Sequence, residues 1–80
     1  MENMEFTTHA RDTLEERNIP EDWVWRAIES PRRSRMGRDG NKHYFKPIPE
    51  FGGQILHVVV NPHTIPKRVV TASFDHRERK

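Results

Sequence analysis

Between Gly52-Gly53 and Asn61-Pro62 runs Gln54-Ile55-Leu56-His57-Val58-Val59-Val60, an apolar stretch that ends in three valines. A short, β-branched run between turn residues reads as a strand buried on both faces. Such a strand is central to its sheet, so the rest of the chain must supply neighbouring strands and a covering layer. The anomaly is His57, a polar ring inside the most apolar segment.

The remaining composition limits how that layer is built. The chain of 80 residues is 32% apolar and 32% charged, with two Trp, four Phe and one Tyr. That length makes a single domain spanning residues 1–80 whose small core leans on its aromatics. Dimerisation would help but is not demanded, so a monomer or weak dimer is expected. The absence of Cys excludes disulfides and thiolate metal sites. No stretch approaches the ~18 apolar residues of a membrane span. The first residues lack the basic-then-apolar order of a secretion signal. A cytoplasmic protein with no membrane partner is the expectation.

The formal net charge of +2 conceals an uneven distribution. Residues 1–30 carry eight acidic and three basic side chains, whereas residues 31–80 carry four acidic and eleven basic ones. Ten of the fourteen basic residues are Arg, which grips phosphate bidentately. An Arg-rich half points to a polyanionic partner. The plainer alternative is a solvated surface with internal ion pairs.

Read in order, Met1 to Phe6 is an extended lead-in, and Thr7 or Thr8 caps a helix over His9–Arg17. Asn18 suits the left-handed residue that ends it. Pro20 opens a second helix, with Glu21 and Asp22 at its positive end and Trp23, Val24, Ala27 and Ile28 as its apolar face. Trp25 points away from that face and is free to meet a partner. Ser30-Pro31 stops the helix. Arg33 to Arg38 alternates as a polar edge strand. Asp39-Gly40-Asn41 is a hairpin turn, and Lys42 to Ile48 returns. After the central strand, Asn61 to Lys67 is a loop, Arg68 to Phe74 the last strand, and Asp75 to Lys80 a charged tail. The expected fold is α+β, ordered α-α-β-β-β-β. Two helices pack on one face of a four-stranded antiparallel meander. Leu56, Val58 and Val60 would lie under the helices, leaving His57 on the other face. If Ile48 pairs with Gln54, Phe45 lies opposite His57. If Val60 pairs with Arg68, Thr71 lies on its other side. A one-residue slip would overturn either register.

The segment Thr7-Thr8-His9-Ala10-Arg11-Asp12-Thr13-Leu14-Glu15-Glu16-Arg17-Asn18-Ile19 resembles the opening of the small bacterial domain-of-unknown-function family 4258. That opening is Thr-x-His-Ala, a helix, then Arg-Gly-Ile. Val58-Val59-Val60 and Val69-Val70-Thr71-Ala72 are similar to its closing strands. Thr13 stands where the family often has a basic residue, and Asn18 where it has Gly. The family in turn resembles the RelE and BrnT ribonuclease toxins. The likeness implies a RelE-like fold and RNA cleavage without a metal or other cofactor on the helix-free sheet face. It also implies RNA or the ribosome as target and a cognate antitoxin as partner.

Such cleavage needs a base for the ribose 2′-hydroxyl, an acid for the leaving oxygen, and cations for the phosphorane. Histidine serves either proton role. The candidates are His9, His43 and His57, with His9 and His57 preferred. Arg17, Lys46 and Arg68 are the candidate charge stabilisers. Arg32, Arg33, Arg35 and Arg38 form a phosphate-binding patch, and Tyr44 can stack on a base. Each has a plainer role: His9 at a helix start, His57 as a satisfied sheet histidine, Arg17 against a helix dipole, Lys46 and Arg68 as solvated cations. His63 and His76 fall in a loop and the tail and carry no assigned role. No metal-ligand motif is present. A non-catalytic nucleic-acid binder and a protein-interaction module using Trp25 or the edge strand are the alternatives.

Overall fold

A computed structural model describes residues 4–75. Two helices, α1 (Thr8–Arg17) and α2 (Glu21–Glu29), precede most of the sheet. Five strands follow the chain as β1 (Met4–Phe6), β2 (Arg33–Met36), β3 (Lys42–Ile48), β4 (Gln54–Asn61) and β5 (Lys67–Asp75). Their spatial order is β1-β5-β4-β3-β2, which puts β4 at the centre. The fold is α+β, but the sheet is mixed rather than a four-stranded antiparallel meander. Met4–Phe6 is not a lead-in: it pairs in parallel with Lys67–Val69.

Local chemistry fixes the helices. The Thr7 hydroxyl accepts from the Ala10 N–H at 3.0 Å and donates to the Val70 carbonyl, so the α1 cap is also tied to β5. Asn18 adopts φ 55°, and the Ile19 N–H reaches back to the Leu14 carbonyl. Pro20 is the extended residue before α2 rather than its first turn, with Glu21 and Asp22 following at the positive end.

Ala10, Leu14, Val24 and Ala27 from the helices meet Leu56, Val58 and Val60 of β4 in one buried cluster, with Trp23 and Ile28 packed against it. That face assignment follows the alternation of β4. Trp25 does not point away: its ring packs edge-on to Phe6 at 5.9 Å and joins the same cluster. At the far end Trp23, Phe51 and Phe74 form a second aromatic group.

Across β3 and β4, Ile48 pairs with Gln54 and Phe45 with His57. The β4–β5 register differs from the simple loop closure. Asn61, not Val60, pairs with Arg68, and a bulge then leaves Val70 between Val69 and Thr71. The two offsets put Ser73 opposite His57 and Thr71 opposite Val59. Because they total two residues, Thr71 keeps the face that simple alternation predicts.

The turn after β3 is fastened to α2 by Arg26, which donates to both Glu50 oxygens at 2.9 Å. Those bonds hold the Glu50 carboxyl below its usual range. A depressed folded-state value stabilises the fold above the ordinary carboxylate pKa, and the gain is lost as pH falls through the depressed value. Glu50→Gln should therefore lower the thermal midpoint at neutral pH and match the wild type at strongly acidic pH. In the core, Leu56 is fully buried, so Leu56→Ala should cost about 2–5 kcal/mol by denaturant unfolding. Thr7→Ala should cost about 0.5–2 kcal/mol, as loss of a helix cap does.

Candidate functional site on the helix-free face

The side of the sheet away from the helices is built by alternation. Arg33 pairs with Phe45, Phe45 with His57, and His57 with Ser73, making one cross-strand row. Arg35, His43, Val59 and Thr71 make the next. Phe45, Ile55 and Val59 are buried here although no helix covers them. The His57 ring lies flat on Phe45, with centroids 4.6 Å apart and planes 14° apart. The Arg33 and Arg35 guanidinium carbons sit 5.0 and 5.5 Å from the Phe45 centroid. Cations over an aromatic face are favourable and shield its apolar surface.

His43 Nδ1 and His57 Nε2 are 2.7 Å apart. Their centroids are 5.0 Å apart with planes inclined by 29°. The centroid separation exceeds the N···N distance by nearly two ring radii, so the rings meet edge to edge along a hydrogen bond. On its other edge, His43 Nε2 lies 3.3 Å from Asp39 Oδ1. Asp39 belongs to the turn between β2 and β3, where it also accepts from the Asn41 N–H at 2.9 Å. That backbone bond, with the His43 contact adding to it, holds the Asp39 carboxyl below its usual range. The result is a continuous chain, Asp39–His43–His57, beside two arginines.

Gly37 makes room for this chain. A β-carbon there would lie 2.5 Å from His43 Nε2 and 2.7 Å from Asp39 Oδ1. The tip of the hairpin is braced from outside, since His63 Nε2 contacts the Gly40 carbonyl at 2.9 Å.

The other residues singled out from the sequence are dispersed. His9 and Arg17 are exposed on α1, across the sheet from His57. Thr13 is buried on that helix. Lys46 pairs with Leu56 and Tyr44 with Val58, so both lie on the helix side. Arg68 has the helix-free parity but stands four residues along from His57, roughly 13 Å at strand rise. It pairs with Glu5 at 3.5 Å. Arg32 and Arg38 are exposed at the two ends of β2. The site therefore unites His57 with Arg33 and Arg35. It adds His43, which sequence reasoning ranked below His9, and Asp39, read there only as a turn residue. His76 lies outside the described residues. Among the described residues, no cluster of three or more His, Asp or Glu is arranged to hold a metal ion. None of the described helices is long and apolar enough to cross a membrane.

Two helices on one face of a five-stranded mixed sheet, with a histidine–carboxylate chain on the other, define a small α+β domain. The chain belongs to the family described as Domain of unknown function (DUF4258), which matches residues 6–74. No curated protein and no solved structure matches it.

The Gly37 notch gives a direct test of the site's architecture. Gly37→Ala should separate His43 from Asp39 and shift the ring resonances of His43 and His57. The methyl resonances of Leu56 and Val58 on the helix side should stay in place.

Proposed function

We propose that the helix-free face binds single-stranded RNA and that the domain is a metal-independent ribonuclease, the toxin of a toxin–antitoxin pair. The observation that carries this reading is the 2.7 Å contact between His43 and His57 on the same face as Arg33 and Arg35. Proton-transfer groups and phosphate-binding cations there share one surface. Likeness of the family to RelE and BrnT toxins adds the reaction class, and with it a cytoplasmic setting, the ribosome as a target and a cognate antitoxin.

In this reading a phosphodiester lies along Arg33 and Arg35. His57 takes the proton of the 2′-hydroxyl as that oxygen bonds to phosphorus. The bond from phosphorus to the 5′-oxygen breaks, and the same imidazole system returns the proton to the departing oxygen. The products are a 2′,3′-cyclic phosphate and a 5′-hydroxyl. His9, Arg17, Lys46 and Tyr44 have no part in this step.

A second reading, a non-catalytic RNA binder, is favoured by the stacking of His57 on Phe45, which gives the ring a packing role. It uses the same two arginines and predicts binding without cleavage. A protein-interaction module loses its aromatic anchor, because Trp25 packs on Phe6.

End-labelled RNA incubated with the protein in the presence of a chelator separates these readings. The ribonuclease reading expects cyclic-phosphate products, lost by about 10²–10⁴-fold in His57→Ala. Equal cutting by His57→Ala would overturn it, and binding without cutting would select the second reading. Arg33→Ala and Arg35→Ala should each reduce the slope of log affinity against log salt by about 0.7, the value for one single-strand phosphate contact.

A further inference from the structure

We infer that the outer edge of β2 is a docking strand for an extended, acidic segment of a partner protein, which joins the sheet beside it. The inference goes beyond the RNA-binding reading. Only the expectation that such a segment competes with RNA for Arg35 rests on that reading.

β2 ends the sheet order β1-β5-β4-β3-β2, and among the described residues no strand lies beyond it. All of its residues are exposed. The Gly37 N–H donates to the Asn41 carbonyl at 2.8 Å, which marks that opposed pair as hydrogen-bonded. Bonded and open pairs alternate along an antiparallel ladder. Arg35 with His43 and Arg33 with Phe45 are therefore bonded pairs, and Met36 with Lys42 and Ser34 with Tyr44 are open ones. The N–H and C=O groups of Ser34 and Met36 thus point away from β3, along the outer edge. An extended chain laid there can satisfy them as one more ladder.

The side chains choose the occupant. Arg33 and Arg35 stand on the helix-free face, whereas Ser34 and Met36 stand on the other, opposite Tyr44 and Lys42. α2 packs against β3 and β4, and Met36 beyond it is 54% exposed. Arg32 and Arg38 flank the strand, both exposed. An added strand therefore meets cations on one face and a thioether on the other. The sequence that fits alternates Asp or Glu with Val, Ile or Leu, acidic toward Arg35 and apolar toward Met36. A second copy of this chain fits badly. The two-fold antiparallel registers that join the outward groups and overlap most of β2 set Arg35 against Arg35, or Arg33 against Arg35. Like charges directly opposite destabilise a strand pair. Basic side chains at an edge discourage indiscriminate pairing. Here the same charges admit an acidic strand.

Amide hydrogen exchange of the intact protein, with and without a short synthetic peptide alternating Glu and Val, tests this. The Ser34 and Met36 amides should exchange fast in the free protein and become protected in the complex. A peptide alternating Lys and Val should give no protection. The Glu–Val peptide N-methylated at the residues that face β2 keeps every charge but cannot form the ladder, so it should not bind. Arg35→Glu should weaken Glu–Val binding by about 2- to 30-fold, one attraction being replaced by one repulsion. Three results would each overturn the inference. One is Ser34 and Met36 amides that stay unprotected at millimolar Glu–Val peptide. Another is equal binding of the lysine or the N-methylated peptide. The last is a dimer that protects the same amides without peptide. On the RNA-binding reading, the acidic peptide should also displace an oligouridine probe. Protection of the two amides in a protein that binds no RNA would sustain the docking edge while removing that reading.

Discussion

β4 is buried on both sides, while the two helices can shield only one. The helix side is closed by an ordinary aliphatic cluster. On the other side Phe45, Ile55 and Val59 are buried although, among the described residues, no second layer covers them. The cover over Phe45 comes from the His57 ring and the arginine side chains of β2. A polar ring used in this way must keep its nitrogens hydrogen-bonded, because an unsatisfied buried donor or acceptor costs about 1–3 kcal/mol. His43 answers that requirement for His57, and Asp39 for His43. The need to finish a small core and the assembly of a reactive-looking site are thus one arrangement.

The uneven charge of the chain acquires a spatial meaning in this fold. The acidic residues of the first part are carried mainly by the helices, with Asp12, Glu15, Glu16, Glu21, Asp22 and Glu29 exposed. Arg33 and Arg35 project from the opposite side of the sheet by register. The β-layer separates the two signs. The helix carboxylates and these two arginines thus lie on opposite sides of the sheet.

Much of this was legible in the sequence because alternation is strict. The glycines after β3 fix the turn, the turn fixes Ile48 against Gln54, and Phe45 then falls beside His57. The same parity places Lys46 and Tyr44 on the helix side and His43 beside the site. The signal for His43 was present, two residues before Phe45, but its nearness to a turn argued for exposure. Asp39 and Gly37 were not legible as parts of the site. Their roles depend on how the turn folds back over β3, which no periodicity encodes. β1 was hidden because three residues give too short a pattern, and its partner is more than sixty positions away. The bulge at Val70 was hidden in the same way: an extra residue in a valine-rich strand leaves no compositional mark.

The parallel pairing of Met4–Phe6 with Lys67–Val69 joins segments far apart in the sequence. The Thr7 backbone extends it, donating to the Val69 carbonyl at 3.1 Å. α1 begins at the next residue, so the seat of the first helix is set by β5, the described strand farthest from it in sequence. Until that strand arrives, α1 has neither its edge contact nor the β5 part of its apolar bed. Long-range pairings of this kind raise contact order and slow folding. A nascent chain would hold its hairpin and central strand first and acquire its first helix as a docked element late, reversing the order in which the residues are made.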